Sequence, residues 1–213
     1  MKKLVLMCCV VLLMVNVTLA ETDVVITTGI TDISNNAEME NPWGGEVLLR
    51  HDVFKVWDMP VALGLSVGVQ EQEVRDDIGG THKLGWFKIP WSLDGDIMDV
   101  PLGVSAIVKK PIKVGGFGDV ILTGQAGAKY HVMSDDLTYK LGPLESRPSM
   151  DDTVTCNFGL AIEKEVIKNV SLVAGVEYQY DLSENSVELN GRELFDNDLT
   201  GWAFRVGGAI KLN

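Results

Sequence analysis

From Val61 to Gln70 the chain alternates residue by residue, with Val61, Leu63, Leu65, Val67 and Val69 on one side and Ala62, Gly64, Ser66, Gly68 and Gln70 on the other. A period of two is that of a strand with two unlike faces. The pattern returns over 100–109, 120–132, 154–163, 170–181 and 202–212. Two weaker stretches, 24–30 and 46–56, bring the strands to eight. The second loses its register near His51 and resumes at Phe54 and Val56, which predicts a bulge there. No segment after Ala20 carries the helical period, so the fold class is all-β.

The connections set the topology. They cover about 31–44, 58–60, 74–96, 111–118, 134–151, 165–169 and 183–200, and so run long, short, long, short, long, short, long. That order predicts a closed antiparallel up-and-down barrel of eight strands, with short turns at one end and four long loops at the other. In a transmembrane barrel the short turns are periplasmic and the long loops extracellular. The segment Trp86 to Leu93 reads as a ninth short strand or as a hairpin extension of the second long loop. A count of eight requires the loop or rim extension.

Alternation alone does not say which face points inward. A soluble lipocalin-like barrel has the same period with its apolar residues inside, so composition has to decide. A strand surface facing water would be dominated by Lys, Glu and Thr. Here the polar face is mostly Gly, Ala, Ser, Thr, Asn and Gln, and Gly29, Gly64, Gly68, Gly103, Gly127, Gly159, Gly175 and Gly207 all lie on it. Small residues suit the confined interior of an eight-stranded barrel. The other face is Val, Leu, Ile, Phe and Tyr, which lipid accepts. Tyr130, Tyr178, Tyr180, Trp202 and Phe204 fall toward the long-loop ends, and Phe54 and Trp57 lie beside the first short turn. Such girdles are expected where a barrel meets two membrane interfaces.

The N-terminus fits an exported chain. Lys2 and Lys3 precede an apolar run from Leu4 to Val15, and Thr18-Leu19-Ala20 ends in a small residue, so 1–20 is expected to be a cleaved signal peptide and 21–213 the barrel domain. Cys8 and Cys9 leave with it, and Cys156 alone remains, so no internal disulfide is expected. Acidic residues number 30 against 18 basic ones, for a net charge of −12. With no basic cluster, nucleic acid is excluded as a partner.

The chain resembles the small eight-stranded outer-membrane β-barrel family of Gram-negative-type bacteria. The segments that carry the likeness are GEVLLRHDVF, VALGLSVGVQ, DIMDVPLGVSAIVKK, DVILTGQAGAKYHV, FGLAIEKEVIKNVSLVAGVEYQYDL and GWAFRVGGAIKL, which span nearly all of 21–213. The resemblance implies a porin-like monomer of the cell outer membrane, in contact with its lipid and lipopolysaccharide and folded by the barrel-assembly machinery. One departure stands at the end. The family usually closes on a terminal aromatic, whereas this chain ends Ile210-Lys211-Leu212-Asn213.

Charges on the inward face demand partners. If the last hairpin pairs Asp181 with Gly201, Glu177 opposes Arg205, and similar counting sets Asn157 beside Glu177 and Lys129 beside Asn157. The expectation is an interior polar layer of Lys129, Asn157, Glu177 and Arg205 that fixes register. Catalytic residues, cofactors and metals find no footing. His131 and Ser134 are the nearest pair for a lipid A deacylase-like site, but three residues apart in one strand they point to opposite faces. Asp196-Asn197-Asp198 opens like a calcium loop, yet Gly207 stands where the bidentate Glu belongs. Gly115-Gly116-Phe117-Gly118 opens no helix and is no phosphate cradle.

These features point to a non-catalytic membrane barrel with a structural, adhesion or surface-interaction role exercised through mobile loops. The alternatives are a narrow channel or carrier for small or hydrophobic solutes, and a soluble secreted barrel.

Overall fold

The computed structural model describes residues 22–33, 39–75, 78–84, 87–183 and 186–212. The expected signal segment 1–20 lies outside them, as does Trp86. Among the described residues eight strands close into a barrel: β1 (Thr22–Asp32), β2 (Trp43–Val56), β3 (Met59–Glu73), β4 (Asp96–Val114), β5 (Gly118–Asp135), β6 (Thr153–Ile167), β7 (Val170–Asp181) and β8 (Gly201–Leu212). Each pairs antiparallel with its neighbour in sequence. The ring closes by pairing β1 with β8, from Thr22↔Leu212 to Asp32↔Trp202. A closed ring leaves no edge strand, so every ladder has a partner.

Period-two sequence becomes a two-faced wall. Ile26, Leu63, Val104, Leu160, Leu172 and Val206 point outward and are exposed, while Ala62, Ile107, Ala203 and the polar face are buried inside. The expected bulge is present: the β2–β3 register shifts between Asp52 and Phe54.

Inward glycines let the ring close. A methyl on Gly29 would overlap the carbonyl oxygen of Phe204, and one on Gly207 would overlap that of Ile26. Both sit on the β1–β8 seam, where the two backbones approach too closely for a side chain.

The three short turns are as expected, at 57–58, 115–117 and 168–169. The first is a two-residue hairpin turn with positive φ at both Trp57 (48°) and Asp58 (64°). Asn or Gly is the usual choice for such positions.

The long connections are more ordered than bare mobile loops. Gly79–Leu84, Phe87–Asp94, Thr138–Leu141 and Leu144–Ser146 form a four-stranded sheet in that order. Ser149–Met150, Ser186–Leu189 and Arg192–Asp196 form a three-stranded one. The segment around Ile89 and Trp91 is therefore strand, but it belongs to this outer layer, and the barrel count stays at eight. Met39, Val74, Leu93, Ile97, Leu137, Tyr139 and Val187, drawn from all four long connections and the strand ends beneath them, share one buried apolar cluster. Trp91 stacks on Tyr139 at 5.9 Å between ring centroids. The cluster lies at the long-loop end.

Gly207→Ala is expected to destabilise the barrel by about 1–3 kcal/mol, the cost of overpacking a close approach. Gly116→Ala, with nothing within 4 Å of its added methyl, should change stability by less than about 0.5 kcal/mol. Urea unfolding in detergent micelles, read by gel mobility, distinguishes the two.

Candidate functional site: a stacked polar lumen

The inward side chains form three tiers along the barrel. The lowest, near the short turns, is built on Arg50 of β2, which is 3% exposed. Its Nη1 and Nη2 both reach the Glu163 carboxylate, the second at 3.0 Å, and Nη2 also donates to Asp23 at 3.2 Å. Lys109 Nζ donates to Asp23 and to Asp52, each at 2.7 Å, and Thr123 Oγ1 donates to Glu163 at 2.8 Å. Five strands, β1, β2, β4, β5 and β6, are tied by these bonds.

The middle tier centres on Lys129, 2% exposed. Its Nζ lies 2.6 Å from Glu177 Oε1 and 2.9 Å from Glu46 Oε2. Glu177 Oε2 accepts from Gln125 at 2.5 Å and from Asn157 at 3.2 Å. Arg205 contributes an ion pair to Glu46 at 3.7 Å.

The expected layer of Lys129, Asn157, Glu177 and Arg205 thus meets at three of its members. The register behind it is different from the one inferred. Glu177 pairs with Ala203, and Arg205 with Gly175, so Arg205 turns to Glu46 instead of Glu177. Gln179, not Asp181, faces Gly201. Asn157 pairs with Gln179, and Lys129 with Thr155, each two residues from the expected position. Counting outward from assumed loop tips caused the error: the last loop folds into a sheet shared with Ser149–Met150 and does not close symmetrically, and the β6–β7 register shifts between Glu165 and Ile167. A shift of two keeps every side chain on its face. Long side chains then lean along the strands and still meet.

The top tier lies beneath the apolar cluster. His131, 0% exposed, has Nδ1 at 2.7 Å from Asp99 Oδ2 and Nε2 at 2.9 Å from Thr155 Oγ1. Acid, imidazole and hydroxyl stand in the order of a nucleophilic triad, but all three are buried and Thr155 offers its hydroxyl to no open surface. Ser134 is exposed and does not join His131.

The lowest tier and Glu46 were missed as partners, although Arg50, Lys109, Glu163 and Glu46 all read as inward from the alternation. Charge balance on one face was the available signal. Only a three-dimensional register could say which carboxylate meets which cation.

The seven aromatic positions lie on the barrel strands or their turns. Tyr130, Tyr180, Trp202 and Phe204 are exposed near the long-loop end, and Tyr178 packs on Trp202 at 4.9 Å between centroids. Phe54 is exposed and Trp57, at the turn tip, is 88% exposed. Trp43, also exposed at the long-loop end, was left in a loop by the sequence pattern.

No known family model and no curated protein sequence matches the chain. Solved structures do. The outer membrane protein OprG from Pseudomonas aeruginosa is similar over 89% of this chain and 94% of its own, with a TM-score of 0.56 at 12% identity. A major outer membrane protein from Thermus thermophilus is similar over 90% of this chain and 99% of its own, with a TM-score of 0.51 at 15% identity. The fold is that of the small outer-membrane barrels.

Lys129→Met leaves Glu46 and Glu177 buried without their shared cation. It is expected to cost about 3–5 kcal/mol, whereas Lys113→Gln at the exposed second turn should cost less than about 0.5 kcal/mol. Equilibrium unfolding in micelles measures both.

Proposed function

We propose that a chain with this barrel is an integral outer-membrane protein, exported on a cleaved signal segment, that works as a non-catalytic scaffold. It is a monomer seated in outer-membrane lipid and lipopolysaccharide and folded by the barrel-assembly machinery. Its role lies in envelope structure, adhesion or surface interaction, exercised by the ordered layer above the long-loop end.

One observation carries this reading: the molecule is sorted inside out. Large aliphatic side chains stand exposed around the outer wall while Arg50, Lys129, Glu163 and Glu177 are buried. Water would not support that distribution, and a hydrocarbon phase would. Trp57 adds to it. A bulky aromatic at positive φ is uncommon and costly, and its place at a fully exposed turn tip makes sense as an interfacial anchor. Stacked ion-pair tiers below and an apolar cluster above favour a closed lumen over a channel.

The protein should partition into the detergent phase and migrate faster on gels unheated than boiled. Planar bilayers containing it should show no stepwise conductance. Recovery in the aqueous phase would overturn the membrane reading, and steady ion conductance would overturn the closed scaffold.

A second reading, a carrier for small hydrophobic solutes, has its own observation. The β3–β4 pairing runs to Val67↔Leu102, stops, and resumes at Gln70↔Asp99. Pro101, which has no N–H to give, sits in the gap opposite Gly68. This is the one stretch of that seam without ladder pairs, and it marks where a solute could leave the wall sideways. Under this reading Pro101→Ala restores a donor and slows uptake of a small apolar probe into proteoliposomes. Equal uptake by the variant and the parent would remove it.

A further inference from the structure

The two rims of the barrel carry opposite charge. Around the short turns stand Lys55 of β2, Lys110 and Lys113 of β4, Lys164 of β6, Lys168 of the third turn and Lys211 of β8, against Asp58, Asp119 and Glu165. The long-loop rim is the reverse. Its carboxylates, Asp135, Asp136, Asp151, Asp152, Asp196 and Asp198 among them, outnumber its cations.

Three of the short-turn lysines are left without an internal counter-charge. Lys55, Lys110 and Lys168 are exposed, and none of them makes an ion pair among the described residues. In register Lys55 faces Pro60 and Lys110 faces Leu122, so neither ladder offers a carboxylate. Glu165, the acid nearest Lys168 in the chain, accepts the Asn169 N–H at 3.0 Å.

Their surroundings are apolar. Phe54, Val56 and Trp57 flank Lys55, Val166 and Ile167 precede Lys168, and Val108 shares the outer face with Lys110; all six are exposed. A rim of this kind suits the edge of a bilayer. Apolar groups enter the acyl boundary there, while the aliphatic stem of a lysine holds its ammonium at the level of the headgroups. The acceptors at that level are lipid phosphates. A zwitterionic headgroup carries its own cation beside the phosphate, whereas an anionic headgroup leaves the phosphate charge to the protein. At the acidic rim the same lipid is repelled, so the preference is confined to the short-turn side.

We propose that the short-turn rim binds the headgroups of anionic phospholipids. The phosphate accepts from Lys55, Lys110 and Lys168, and the neighbouring aromatic and aliphatic side chains seat at the acyl edge. The proposal rests on the membrane reading above and adds to it the class of lipid and the side of the membrane.

The test reconstitutes the full barrel in phosphatidylcholine bilayers with a trace of spin-labelled phosphatidylglycerol or spin-labelled phosphatidylcholine. Electron paramagnetic resonance reads the fraction of each label that the protein restricts. Phosphatidylglycerol should associate about threefold or more strongly than phosphatidylcholine, and about 0.5 M salt should shrink the difference. Lys55→Gln, Lys110→Gln and Lys168→Gln combined should bring the two lipids to equal association. Lys55→Arg, Lys110→Arg and Lys168→Arg combined should keep the preference, and Lys168→Gln alone, at a turn tip, should lower it in part. Equal association of the two lipids with the parent barrel would overturn the proposal, and so would a preference that survives the triple Gln variant. No restricted fraction for either label would overturn the membrane reading itself, and the proposal with it.

Discussion

Closure of β1 onto β8 is the constraint on which the rest of the structure depends. Without it the sheet has two long edges of unpaired N–H and C=O groups, and its inward charges face water and each other at no fixed distance. With it, each backbone ladder is satisfied within the ring, and the inward side chains are forced into one narrow column. The closing ladder runs from Thr22↔Leu212 to Asp32↔Trp202. It is possible because Gly29 and Gly207 present no Cβ where the opposite carbonyl oxygens sit. Two glycines at a seam thus decide whether the charges further inside find their partners at all.

Once closed, the column fills itself with charges in a way that suits its width. Eight strands leave room for side chains and little else. A buried cation there is tolerable only when more than one neighbour answers it, since single removal of a partner leaves an uncompensated charge. The lowest tier meets that demand through bidentate contact of Arg50 with Glu163, and through Asp23 shared between Arg50 and Lys109. The middle tier meets it through Lys129 shared between Glu46 and Glu177. Arg205 is the exception, with a single 3.7 Å ion pair. Arg205 is thus the least compensated cation among the described lumen residues.

Most of the wall was legible in the sequence because each strand is a local statement. Val61 to Gln70 announces its two faces without reference to any other segment, and so does 154–163. The bulge after Asp52 was legible for the same reason, as a slip in the alternation. Register was not legible, because it is a relation between strands. Glu177 and Arg205 sit on the correct face in the pattern, yet pairing each strand by counting from its loop misplaced them by two residues. The outer layer was legible least. Phe87–Asp94 looks like a strand, but nothing local says that it pairs with Thr138–Leu141 from a different loop. Met39, Val74, Leu137 and Val187 are scattered apolar residues until four connections bring them together.

That outer layer bears on what the barrel can be used for. Two of its elements, the four-stranded sheet and the apolar cluster beneath, draw on several connections at once, so moving one loop means unpacking a shared core. A surface built this way presents a fixed shape to whatever lies outside, which suits recognition better than gating. Gating by loops would require the cluster of Leu93, Ile97, Leu137 and Val187 to open to water. Their burial resists this.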